Sequence, residues 1–191
     1  MEATKNLNRT GIKKLAAVTA VIGLSVMIGW SAVSALPDTP NKYPDEPIHE
    51  SEFYGSPTSA ISSGVSVPAG SSYLFTSGTV PPLLNKDGKT IYERYGDTKT
   101  QGIGVLTEIK KQLNAKGLSM EDVIYLRVYL VADAAKEGKI DYQGWFDAYG
   151  QFFNTEDNPV KPARSTVGVA GLVNSDWLIE IEAVAVYPKK K

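Results

Sequence analysis

Arg164 stands inside a run that otherwise reads as a buried strand, Pro162-Ala163-Arg164-Ser165-Thr166-Val167-Gly168-Val169. A few residues on, Glu180 and Glu182 alternate with Ile179, Ile181 and Ala183 in a second such run, residues 177–186. Side chains alternate faces along a strand, so both glutamates point to one side together with Leu178 and Val184. Arginine and glutamate are seldom buried without a partner. A guanidinium beside a carboxylate on adjoining strands is either a structural ion pair or a site for an anion, and any fold for this chain must accommodate one or the other.

The remaining elements follow from pattern. Residues 60–67 and 72–77 read as two strands of a hairpin across Pro68-Ala69-Gly70-Ser71, and residues 77–97 as mostly loop. Asp97 or Thr98 caps a helix in which Ile103, Leu106, Ile109 and Leu113 recur at helical spacing, ended by Gly117. Gly102 and Gly104 weaken that helix by about 1 kcal/mol each and are expected where it packs closely on the sheet. Val123–Val131 is the most strand-like run, with Ile124, Leu126, Val128 and Leu130 on one face and Tyr125, Arg127 and Tyr129 on the other. A second helix carries Trp145, Phe146, Tyr149, Phe152 and Phe153, a stripe expected to be core. Two helices of this size cover only one face of a mixed sheet, so self-association is the economical way to cover the other.

Composition removes whole classes of chemistry. The 191 residues contain no cysteine, which excludes disulfides, thiol nucleophiles and thiolate metal sites, and the single histidine, His49, lies in a Pro-rich stretch. Neither a histidine-based metal site nor a Ser-His-Asp triad is expected. The first 14 residues hold Lys5, Arg9, Lys13 and Lys14 against Glu2, or +3 of a net −1, leaving −4 for everything after them. An acidic body without a basic stripe argues against nucleic-acid binding, and Lys189-Lys190-Lys191 reads as a solvated tail. Residues 15–35 carry no charge and end on Val33-Ser34-Ala35, so residues 1–35 are expected to act as a signal peptide cleaved after Ala35. The competing reading is an uncleaved signal anchor, the only membrane contact expected. Either places the body outside the cytoplasm, in the periplasm. Residues 36–59, with Pro37, Pro40, Pro44, Pro47 and Pro57, read as a linker or arm before a domain over residues 60–191.

The order of these elements, with Thr76-Ser77-Gly78-Thr79-Val80-Pro81, Val128-Tyr129-Leu130, Tyr149 with Phe152-Phe153, Pro162-Ala163-Arg164-Ser165-Thr166-Val167 and Ile179-Glu180-Ile181-Glu182-Ala183-Val184-Ala185-Val186, resembles the RidA (YjgF) family from about Ala60 to Val186. The resemblance implies a chorismate-mutase-like α+β fold, a mixed β-sheet with two helices on one face. It also implies a homotrimer with sites between subunits, and cofactor-independent, metal-free hydrolysis of 2-imino acids or their enamines to 2-keto acids and ammonia. On that resemblance Arg164 holds the substrate carboxylate, Glu180 positions the attacking water, and Ser77 and Gly78 line the cleft, with Glu182 structural. Ile61 stands where the family often has a tyrosine, Phe146 where it often has an asparagine, and Thr166 where some members have cysteine; the first two make the pocket more apolar.

Guanidinium is planar, permanently charged and able to grip a carboxylate through two parallel hydrogen bonds. Imine hydrolysis needs a water aimed at the C=N carbon and a proton for nitrogen, which a positioned carboxylate supplies without nucleophile or metal. Three other readings stand beside the deaminase: a noncatalytic trimer binding a small carboxylate through Arg164, a plain Arg164–Glu180 ion pair, and an RNA-cleaving or translation-inhibiting protein. The acidic body, the leader and the lack of a basic aromatic platform weigh against the last.

Overall fold

The computed structural model describes residues 47–188. The expected leader, the first part of the proline-rich arm (residues 36–46) and the terminal lysines therefore lie outside the described residues. Three short strands come first: β1 (Glu52–Tyr54), β2 (Gly64–Ser66) and β3 (Tyr73–Phe75). Helices α1 (Ile91–Arg94) and α2 (Thr98–Asn114) follow, then β4 (Val123–Val131), α3 (Tyr142–Tyr149), β5 (Ala163–Val169) and β6 (Ile179–Val186). Strands β3, β6, β4 and β5, in that order, form a mixed sheet in which only the β4–β5 pair is parallel. The architecture is the expected α+β one, with α2 and α3 packed on one sheet face.

Helix α2 begins where the Asp97 side chain accepts the Thr100 amide at 2.9 Å, and its chain turns away after Gly117, at φ +74°. Val105, Leu106, Ile109 and Leu113 are fully buried against Leu126, Val128 and Leu130 of β4, Ile179, Ile181, Ala183 and Ala185 of β6, and Trp145, Ala148 and Tyr149 of α3. Ile103 is only partly buried at the margin of this core. Gly102 has a different neighbour from the one its sequence context indicates: a Cβ there would lie 2.9 Å from that of Ala148, so the close approach is chiefly helix to helix. That contact sets α3 over the β5 edge of the sheet.

Three local expectations are corrected. Residues 60–67 and 72–77 do not pair with each other: β2 pairs with β1, and β3 pairs with β6, Leu74 lying opposite Ala185. A partly buried position for Leu74 against the core outweighs a local hairpin, and the partner of β2 lies inside the stretch read as arm, where three residues between prolines are too short to show a period. Residues 90–94, read as loop, hold α1, fixed by a reciprocal capping box between Thr90 and Glu93. In β4 the register shifts between Val123 and Tyr125, so Val123 enters the core and Ile124 leaves it.

Candidate functional site

Arg164 and the two glutamates do not meet. Strands β5 and β6 are separated by β4, which corrects their placement as adjoining strands. Arg164 lies opposite Leu126 and shares its helix-covered face, whereas Glu180 lies opposite Tyr129 and Glu182 opposite Arg127 on the other face. A structural Arg164–Glu180 pair within one chain is thereby excluded.

The guanidinium of Arg164 is instead ringed by α3. Its Cζ is 4.5 Å from the Tyr149 ring centroid, 5.1 Å from that of Phe146 and 5.4 Å from that of Trp145. Residues 145, 146 and 149 face β5 together because positions three and four apart share a helix face. Among the described residues no carboxylate lies within ion-pair distance of Arg164, and its Nη1 is buried without a hydrogen-bond partner. Burial pushes the guanidinium down from the ordinary arginine value, opposed by Tyr149. The Tyr149 hydroxyl is pushed up to about 12 by burial, against the pull of the arginine charge. Aromatic faces offset part of the desolvation of a cation, yet leave its in-plane donors unused.

Thr166, two residues along the same face of β5, also has a buried Oγ1 without a partner, as does Trp145 at Nε1. Ser62 bridges Ala163 in parallel, which brings the segment before β2 alongside β5, and the Tyr149 hydroxyl donates to the Ala60 carbonyl at 3.0 Å. Ile61, between those two anchors, packs half-buried against the core.

The second cluster is on the opposite face. Thr76 N donates to Ala183 O at 2.9 Å and Thr79 N to Ile181 O at 2.8 Å, which straps Ser77 and Gly78 across β6. A Cβ at Gly78 would overlap Glu180 Oε1, so the carboxylate occupies the space that the missing side chain leaves. Glu182, by contrast, accepts from Arg127 Nη1 at 2.9 Å and from the Tyr129 hydroxyl at 3.2 Å.

With this geometry in place, comparison with known proteins is informative. The family model described as Endoribonuclease L-PSP matches residues 58–187. The chain belongs to that family, the RidA/YjgF family. Among its relatives, the RutC family protein PH0854 of Pyrococcus horikoshii is 38% identical over 113 residues, covering 59% of this chain and 78% of that one. RutC family protein SSO3206 of Saccharolobus solfataricus is 36% identical over 132 residues, 68% of this chain and 88% of its own. The structure of YyfB, a Rid family protein of Yersinia pestis, matches with a TM-score of 0.54 at 24% identity, over 72% of this chain and 99% of that one, a likeness of fold.

In this RidA family chain the residues singled out from sequence fall into two groups, Arg164, Thr166, Phe146 and Ile61 at the β5 edge, and Ser77, Gly78 and Glu180 across β6. Trp145 and Tyr149, read only as core, are core and also the walls around Arg164. Tyr142 was missed; its ring lies 6.4 Å from that of Phe146, and the i, i+3, i+4, i+7 spacing of residues 142, 145, 146 and 149 carried the signal. Among the described residues no group of three metal-ligating side chains occurs, and no helix is long and apolar enough to cross a membrane.

Proposed function

We propose that this protein hydrolyses 2-imino acids, or the enamines that tautomerise to them, to 2-keto acids and ammonia, with Arg164 as the carboxylate anchor. The observation that carries the reading is a half-buried guanidinium, ringed by aromatic faces, with no carboxylate among the described residues at ion-pair distance. An unpaired buried charge is costly, and an anionic ligand with two coplanar oxygens relieves it. Glu180 orients the water. The water oxygen bonds to the iminium carbon as its proton passes to the carboxylate. That proton then goes to the amine nitrogen, and as the C–N bond breaks and the C=O bond forms the remaining hydroxyl proton passes to the Glu180 carboxylate and on to the departing ammonia, which leaves as ammonium.

Arg164 and Glu180 lie on opposite faces, so this chemistry requires a second copy. The proposal therefore includes a homotrimer in which the β5 edge of one subunit meets the Gly78–Glu180 cluster of the next, covering the tyrosine-bearing sheet face. Export of the body by the leader is part of the same reading. The family description names an endoribonuclease, but a lone guanidinium ringed by apolar groups lacks the run of phosphate contacts a polynucleotide calls for, which favours a small molecule.

If copies do not bring the clusters together, the separation of Arg164 from Glu180 favours a noncatalytic carboxylate-binding protein. The test follows imines generated in situ by an amino-acid oxidase, with and without the full-length protein. Acceleration that disappears in Arg164→Ala, and that Glu180→Gln removes while sparing ligand binding, is the expected result. No acceleration with binding intact leaves the binding protein.

A further inference from the structure

The surroundings of Arg164 also restrict what its carboxylate can be attached to. Along the helix-covered face of β5 the order is Arg164, Thr166, Gly168, a track on the order of 13 Å. Helix α3 runs beside it. The Phe146 ring lies over the guanidinium at one end. One turn earlier the Tyr142 hydroxyl lies 3.6 Å from where a Gly168 Cβ would be. These two rings are 43% and 41% exposed, unlike Trp145 and Tyr149 behind them, so they form an open rim and not a closed core.

Polar capacity on this face is concentrated at one point. Arg164 Nη1, Thr166 Oγ1 and Trp145 Nε1 have no partners, whereas the Tyr149 hydroxyl is already bonded to Ala60. Beyond the carboxylate anchor a ligand meets ring faces. A methyl-sized substituent leaves the Phe146 and Tyr142 rim in water. A ring or branched chain covers it and removes apolar surface from water on both partners. A second carboxylate meets no further cation among the described residues on this face, only the Thr166 and Tyr142 hydroxyls, and covering the rim with it gains no apolar burial.

We infer that the site selects 2-imino and 2-keto acids with aromatic or branched apolar side chains over small or dicarboxylic ones, with Phe146 and Tyr142 as the specificity-determining residues. This rests on Arg164 being the carboxylate anchor, and it assigns that anchor a substrate class.

The experiment is calorimetric titration of the full-length protein with 2-oxopropanoate, 4-methyl-2-oxopentanoate, 3-phenyl-2-oxopropanoate and 2-oxopentanedioate. Pocket contacts discriminate about tenfold or more per added carbon group, so the phenyl and isobutyl acids should bind at least about tenfold tighter than 2-oxopropanoate, with the diacid weakest. Phe146→Asn, at a largely exposed position where thermal melting checks the fold, should shrink the ratio to about threefold. The wild-type ranking needs no variant. Equal or tighter binding of 2-oxopropanoate, still lost in Arg164→Ala, overturns the selectivity and leaves the carboxylate anchor standing. Failure of all four acids to bind overturns the anchor and this inference together.

Discussion

Two arginines on neighbouring strands of one sheet have opposite surroundings. Arg127 lies on the uncovered face with a carboxylate at 2.9 Å, its side chain 51% exposed. Arg164 lies on the covered face with three aromatic rings around it and, among the described residues, no carboxylate at ion-pair distance. The first is a surface ion pair of a kind that contributes little, because water already solvates both charges. The second is a partly buried charge whose desolvation three aromatic faces offset only in part, so it is the costlier of the two to keep.

Removing the unpaired charge tests the contrast most severely. Arg164→Ala should weaken binding of a 2-keto acid by about two to three orders of magnitude, measured by titration. Arg164→Met, which keeps the volume and deletes the charge, should lose binding equally yet melt no lower than the parent, since it relieves a desolvated cation. A lower melting temperature for Arg164→Met would mean that the arginine supports the fold after all.

The next largest effect moves the aromatic wall instead of the charge. In Gly102→Ala the new methyl meets Ala148 Cβ at 2.9 Å and pushes α3 away from α2. A loss of about 1–3 kcal/mol in denaturant titration is expected, with weaker ligand binding as the rings shift over Arg164.

Tyr149→Phe loses the bond to the Ala60 carbonyl, about 1 kcal/mol at neutral pH. Its distinguishing mark is alkaline. Because the folded-state value is raised from 10.0 to about 12, the native protein holds this proton more tightly than the unfolded chain. The associated stability is complete below pH 10 and is lost as pH rises through about 12. Melting curves of Tyr149→Phe should be flatter over that interval than those of the parent. Tyr92, raised to about 12 by its bond to Asp133, supplies the residual slope. The smallest change belongs to the other arginine: Arg127→Met should leave the urea midpoint of the subunit close to that of the parent.

How much of this was legible beforehand depended on whether the signal was local. A charged residue in an apolar strand run is visible at once, so Arg164, Glu180 and Glu182 stand out, as do the periods of both main helices and the Asp97 cap of the first, whereas the Asp141 cap of the second is not singled out. Strand order is not local. No feature of residues 162–186 says that β4 inserts between β5 and β6, so the arginine and glutamates were placed together when they occupy opposite faces. The same blindness paired β2 with β3, because proximity in sequence stood in for the burial of Leu74 beside β6. The Thr90–Glu93 capping box was readable and passed over. Trp145 and Tyr149 show that one ring can be core on one side and site wall on the other, a distinction periodicity does not carry.

The bond from Tyr149 to Ala60 joins residues 89 apart in sequence, and the Ser62–Ala163 bridge closes a longer loop still. Both lie beside Arg164 and the rings around it, while the β4–β6 pairing that organises the sheet needs neither. Contacts of such separation draw on chain entropy before they return any binding. The aromatic surround of Arg164 thus depends on contacts made late in any assembly that begins locally, and a chain that has recovered its helices and the β4–β6 pairing has still to close these long loops.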